Sequence, residues 1–477
     1  MAVTEINKMM IDWFKKNLFN LLLLCLVIGY YYSSYALLEN QQFHSFFETD
    51  EAVYAWQSNL IQSDFSSITS TDVNEFHPFL FPFILSIGKS FFPPHISSVI
   101  AYRSVALIIS LLSIFTLAML CFRLSGKFLA IFCILGLISN PTFFTFKFYI
   151  LNDVLFMLFS MAFLLALYHL HPNSSRRKHA LVGMIISLSI LTRWTGILLI
   201  AVTFLWYVIQ PSKKLIMEGL KRFLFYPVII VGATVALLAF NTYQNTSSIF
   251  PNLSALGNNI QPLDFYFRRL FIPLYLIFFF MPFKEMALFF VSGIVFTIYQ
   301  KSKFFFILIF MIFIGITADL MLRQTNPRYV LYLQPAFLLL TGFGIEAPLR
   351  RVIKDLNRLA LAKGGIIISY IFLILSYHPQ IVSYFNYKTA PINHACAGNW
   401  IKENSSKNFF VFSQDPRPVR FFTNYDYASD GGNLYMCPTH KAELKDAVQK
   451  TNKPIILELN IQREKLLSDY KPFSEPL

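Results

Sequence analysis

Charge is scarce in this chain, and acidic charge most of all: 14% of its 477 residues are charged, with 26 Asp and Glu against 40 Lys and Arg. Hydrophobic residues make up 55% of the sequence and aromatics 17%, more than a water-soluble domain of this length can hide. Lipid must therefore be its main solvent. The formal net charge of +14 does not gather in one patch among polar residues, as it would in a nucleic-acid binder, but falls in short clusters between apolar runs. Cysteine is also rare, at five residues, and His and Cys never cluster with metal-ligand spacing. No internal repeat and no low-complexity tract occurs, so the two repeated halves common in secondary transporters are missing.

What the chain does have is a series of apolar runs long enough to be read as membrane spans, each needing roughly 20 residues. Loops rich in Lys and Arg stay on the cytoplasmic side, which orients the runs. Lys8, Lys15 and Lys16 precede an uncleaved first span over 18–38. A polar outer loop follows over 39–98. Spans at 100–120, 128–139 and 149–170 then alternate between basic inner turns, at Arg123 and Lys127 and again at Arg176, Arg177 and Lys178, and an outer turn at Asn140 and Pro141.

The run 180–209 has basic clusters on both sides, so it must cross an even number of times, and Thr192 to Gly196 supplies the break of a hairpin. A span at 223–240 leads to a second outer loop, 241–269, and further spans fall within 286–299, 304–318, 330–345 and 359–377. The fold class expected is an all-α polytopic membrane protein of about 11 transmembrane helices. Residues 1–378 form this membrane domain. Beyond it, 379–477 switch to strand-length apolar runs (409–413 and 454–459) around a helical 441–450, which predicts a small C-terminal α/β domain outside the membrane. The N-terminus is placed in the cytoplasm and the C-terminus outside. Cys396 and Cys437 both fall in that outer domain, where an oxidising compartment would allow them to pair, or they remain separate thiols. His169, His171 and His179 bracket an inner loop and read as solvated.

Some ionisable residues are left over once the inner clusters have set the orientation. Asp50 and Glu51 lie in the first outer loop, Arg103 opens the second span, Asp153 the fourth and Arg328 the tenth, and Arg193 tips the hairpin. All are outer-end positions, where charge is costly unless it serves a site. Together they predict a cavity with carboxylates to handle a proton or cation and guanidiniums to hold an anion, since the guanidinium fork suits phosphate. A carboxylate base and stabilisation of a departing phosphate are what glycosyl transfer from a lipid-phosphate carrier requires. Asp50 is the base candidate, with Glu51 beside it to raise its pKa. Asp153 would orient the acceptor, or share a divalent cation with Asp50. No other cofactor is indicated.

The segment Glu48 to Ala55, reading Glu-Thr-Asp-Glu-Ala-Val-Tyr-Ala, and the later Glu75-Phe-His-Pro-Phe-Leu resemble the first outer loop of the protein-mannosyltransferase and aminoarabinose-transferase group of GT-C glycosyltransferases. Tyr102-Arg103-Ser104, Asn140-Pro141, Leu151-Asn152-Asp153, Leu191 to Gly196 and Arg328-Tyr329 follow in the family's order. Trp194 and Phe79 stand where that pattern has proline. The resemblance implies that Asp50 is the catalytic aspartate and Asp153 the second-loop acidic residue, with His77, Arg103 and Arg193 near the donor phosphate or its sugar. It also implies a polyprenyl-phosphate sugar donor, transfer with inversion, and an acceptor that is a glycan, lipid or protein. A flippase of lipid-linked sugar is the rival from another class, and a polysaccharide ligase or polymerase the rival enzyme.

Overall fold

The computed structural model describes residues 28–32, 34–38, 49–65, 78–246, 286–321, 327–388, 410–413, 434–436 and 455–458. The first outer segment is not a loop where it is described. It forms two helices, α1 (Thr49–Ser63) and α2 (Leu80–Lys89). α2 buries Leu80, Phe81, Pro82, Leu85 and Ser86, so apolar side chains hold this layer down even though both helices are short.

The bundle begins with α3 (Ser98–Ser125), whose first turn is capped by Ser97, its hydroxyl accepting from the Ile100 N–H at 3.3 Å. Gly126, at φ +88°, makes the left-handed turn into α4 (Lys127–Ile138). Asn140 caps the short α5 (Pro141–Phe146), and its carboxamide oxygen also accepts from Gln334 at 2.9 Å. α6 (Asn152–Tyr168), α7 (Arg176–Ile190) and α8 (Leu198–Val208) follow, with a 3-10 turn (Trp194–Ile197) between the last two. α9 (Lys213–Phe223) runs through a π turn containing Pro227 into α10 (Ile229–Thr246). Beyond come α11 (Ala287–Gln300), α12 (Lys303–Met321), a 3-10 turn (Pro327–Leu333), α13 (Gln334–Val352) and α14 (Leu356–Lys388).

Three stretches among the described residues are long and apolar enough to cross a membrane: Ser98–Ser125, Lys213–Ala239 and Leu356–Val382. At five other expected spans the apolar helices are shorter, 10–17 residues: Lys127–Ile138, Asn152–Tyr168, Trp194–Val208, Ala287–Gln300 and Lys303–Ala318. α4, with 12 residues, is about 18 Å long at 1.5 Å per residue, short of a full crossing. Large apolar side chains such as Leu237, Leu288, Phe313, Leu361 and Phe372 point outward, as lipid-facing residues do.

The basic turns gather at one end. Tyr168 donates to the Arg123 carbonyl at 3.1 Å, Arg222 donates to the Ser174 carbonyl, and Arg350 donates to the Ser125 carbonyl at 3.3 Å. Glu346, almost fully buried there, accepts from Ser125 and Arg350 and pairs with Lys363, which ties α3, α13 and α14 together. His169 and His171 are exposed as expected, but His179 is completely buried, its Nδ1 2.5 Å from the Tyr207 hydroxyl. The reason is helical phase: α7 turns this one ring inward among Tyr207 and Tyr226.

α14 runs unbroken through Pro379 and so passes the domain boundary expected at residue 378. Three short strands, β1 (Phe410–Ser413), β2 (Leu434–Met436) and β3 (Ile455–Glu458), form a parallel sheet in the order β2-β1-β3. β1 and β3 fall where strands were expected; β2 was not anticipated. Parallel neighbours need a crossover connection, and the helix expected over 441–450 lies outside the described residues.

α11 and α13 touch backbone to backbone. A Cβ added at Gly344 would meet the Phe289 carbonyl oxygen at 1.9 Å, and one at Gly293 would meet that of Leu340 at 2.0 Å. Gly344→Leu should therefore force these helices apart and cost on the order of 3 kcal/mol. Gly364→Leu, where nothing lies within 4 Å, provides the control. Thermal unfolding of the purified protein in detergent would show the difference, and equal midpoints for the two variants would refute the close packing.

Candidate active site

The end of the bundle opposite the basic turns carries the leftover charges. Asp50 sits in the first turn of α1 and Asp153 in the first turn of α6, where helix N-termini favour carboxylates. Arg193 occupies the break between α7 and α8 in an extended conformation, φ −150° and ψ 137°. Three backbone contacts fix that break. The Arg193 N–H donates to the Ser189 carbonyl at 2.8 Å, the Leu80 N–H to that of Leu191 at 3.2 Å, and the Asn152 carboxamide to that of Thr192 at 2.8 Å. Gly196 is required here, because a Cβ would meet Ser189 backbone atoms at 2.6 and 2.8 Å.

These contacts bring α2, α6 and the hairpin break together, so that Arg193 pairs with Asp153. Arg328, from the 3-10 turn ahead of α13, pairs with Asp50. The two ion pairs meet at one aromatic ring: the Arg193 and Arg328 guanidinium carbons lie 5.0 and 4.7 Å from the centre of Tyr329. Arg328 also donates to the Tyr329 hydroxyl at 2.8 Å. Tyr54, one turn along α1 from Asp50, is buried among the same four charges. Burial pushes its phenol well above the ordinary range, with Asp153 and Asp50 acting in the same direction against Arg193 and Arg328. It stays protonated and so keeps an O–H to donate.

Side-chain exposure grades the cluster: 25% for Asp50, 10% for Arg193, 7% for Arg328 and 3% for Asp153. Asp50 is thus the most open of the four.

Glu51 and Arg103 lie apart from this opening. Neither side chain has any exposure, and they bond to each other at 2.9 Å. The same guanidinium donates to the Phe148 carbonyl at 2.7 Å, and the same carboxylate accepts from the Ile150 N–H at 2.8 Å. The pair fastens α1 and α3 to the strap leading into α6, with no face turned to a ligand. Adjacent residues on a helix point about 100° apart, which is why Glu51 faces α3 while Asp50 faces Arg328. The premise that Glu51 crowds Asp50 is thereby corrected, since Arg103 compensates its charge. His77, Cys396 and Cys437 lie outside the described residues.

Among the described residues no group of three His, Cys, Asp or Glu side chains could hold a metal ion. Asp50 and Asp153 both face guanidiniums, a donor set that suits an anion better than the cation considered from sequence. Tyr54, Tyr329 and Asn152 complete the cluster. The first two were legible only as members of the quoted segments, and nothing local marks Asn152 as a bridge.

No protein-family model matches the sequence, and no curated protein matches it either. Solved structures do. The crystal structure of ArnT from Cupriavidus metallidurans bound to undecaprenyl phosphate has a TM-score of 0.59 at 14% identity, over 92% of this chain and 90% of that one. The apo form of the same protein gives 0.52 at 14%, over 78% and 79%. The Archaeoglobus fulgidus oligosaccharyltransferase in the apo form gives 0.55 at 11%, over 86% of this chain and 64% of that one. The fold is that of the GT-C glycosyltransferases.

The buried Glu51–Arg103 pair ties together helices at the end opposite the basic turns, so breaking one partner should be worse than removing both. Arg103→Met leaves a carboxylate uncompensated and should cost at least about 3 kcal/mol, while Glu51→Leu combined with Arg103→Met should recover most of that loss. Unfolding midpoints of the single and double variants decide the matter, and additive losses would show that the pair does not act as a unit.

Proposed function

We propose that the protein is a multi-pass membrane glycosyltransferase that transfers a sugar from a polyprenyl-phosphate donor to an acceptor hydroxyl, on a glycan, lipid or protein, at the outer face of a cytoplasmic membrane. One observation carries the reading: Asp50, the most exposed member, gathers with two guanidiniums and a second carboxylate, the four side chains coming from four separate elements. Bringing such charges together at the apolar end of a bundle is costly, and a reaction that moves a proton and releases a phosphate uses each of them. The likeness to ArnT bound to undecaprenyl phosphate supports the choice of donor.

In this reading Asp50 takes the proton from the acceptor hydroxyl as its oxygen attacks the anomeric carbon. The bond between that carbon and the phosphate oxygen breaks, a glycosidic bond forms, and polyprenyl phosphate departs with its negative charge held by Arg193 and Arg328. Asp153 keeps Arg193 in place and lies close enough to the pocket to orient the acceptor. His77, from the segment before α2, is assigned to the donor side on the family resemblance. Gathering of the basic turns at the far end supports an orientation with the N-terminus in the cytoplasm and this site outside. The C-terminal residues beyond α14, 389–477, are assigned to an α/β unit on the outer side.

Transfer in membranes from a panel of radiolabelled polyprenyl-phosphate sugars tests this. Asp50→Asn should lower transfer at least about 100-fold while the protein inserts normally. Transfer undiminished in that variant would remove Asp50 from its role.

A further inference from the structure

Tyr329 is a member of the cluster that the reaction as described does not use. It forms no part of an ion pair, yet both guanidiniums of the pocket contact it, at 5.0 Å for Arg193 and 4.7 Å for Arg328. The residue is only partly buried. Arg193 comes from the α7–α8 break and Arg328 from the turn before α13, elements more than a hundred residues apart in sequence. The two ion pairs are separate: Asp153 takes Arg193 and Asp50 takes Arg328. The Tyr329 ring is the contact that the two guanidiniums have in common.

We propose that Tyr329 is a positioning residue that sets the two guanidiniums at the spacing a lipid-linked monophosphate needs. The inference rests on the donor reading above and adds a residue to it. A phosphate arriving in the pocket takes guanidinium donors away from Asp153 and Asp50. Once those carboxylates let go, the aromatic contact is what continues to hold both arginines, because the ring attracts a guanidinium without competing for its N–H groups. The face of the ring supplies this hold. The hydroxyl adds one bond, to Arg328 alone.

The test compares Tyr329→Leu, which removes the ring, with Tyr329→Phe, which removes the hydroxyl. Binding of undecaprenyl phosphate to the purified full chain in detergent is measured beside donor KM and kcat in the transfer assay. Tyr329→Leu should weaken undecaprenyl phosphate binding about tenfold and raise donor KM by a similar factor, with kcat changed less than about threefold. Tyr329→Phe should stay within about threefold in all three quantities. A tenfold loss in Tyr329→Phe would overturn the proposal in favour of the hydroxyl, and so serves even if the leucine variant does not fold. Natural-strength binding in a folded Tyr329→Leu, or a loss confined to kcat, would overturn it while leaving the donor reading intact. Failure of the unaltered chain to bind undecaprenyl phosphate would overturn both.

Discussion

A guanidinium cannot shed its proton and is costly to leave unpaired among apolar side chains, so every buried arginine in this bundle dictates where a carboxylate or carbonyl must be. Arg193 is the case on which most of the outer end depends. It interrupts what would otherwise be one apolar run, and the chain must open into an extended residue and a 3-10 turn to present it. The carbonyls freed by that opening are then used: Thr192 accepts from Asn152, and Leu191 from the start of α2. Asp153 is delivered to Arg193 by the helix that Asn152 begins. The break, the pairing and the docking of the outer helices are therefore one event.

The Glu51–Arg103 pair does for α1 what Asn152 does for the break. With both side chains closed to solvent, it aligns the first turn of α1 with α3 and with the strap at Phe148 and Ile150. Asp50 precedes Glu51 directly, so its position is set by a neighbour that points elsewhere. The adjacent buried ion pair immobilises the turn that carries Asp50 and leaves its carboxylate partly exposed, as the proposed role of a general base requires. The acidic dipeptide thus divides its work by helical phase.

Much of this was legible in the sequence, for a definite reason. The excess of Lys and Arg in alternate turns fixes which end each span faces, and whatever charge then remains at the other end has no topological purpose. That reasoning isolated Asp50, Asp153, Arg193 and Arg328, and the break at Thr192 to Gly196 follows from counting crossings. What it could not supply is pairing. Whether Arg103 meets Glu51 or Asp50 depends on 100° of helix rotation, and spacing along the chain does not encode it. The same blindness hid His179, which looks like its two exposed neighbours until α7 is rotated. The first helix of the outer segment, α1, was missed because it is short and weakly amphipathic; contact with the bundle, rather than propensity, stabilises it. β2, at three residues, is below the length that any pattern of alternation can reveal.

Lys147 shows how a caged cation differs from one paired with a carboxylate at the margin of solvent. It is as buried as Arg103, and its ammonium lies 4.1, 4.0 and 4.6 Å from the rings of Tyr30, Phe144 and Phe148, with the Ser34 hydroxyl at 3.0 Å. Burial holds its pKa well below the ordinary lysine range. Aromatic faces and a hydroxyl offset part of that burial cost for a group that never has to change partner. Arg193 and Arg328 have aromatic company too, but each also faces a carboxylate at the margin of solvent, an arrangement more expensive than packing alone requires. Cations in closed cages stabilise the bundle, whereas cations paired at an opening keep a partner that an incoming anion can replace.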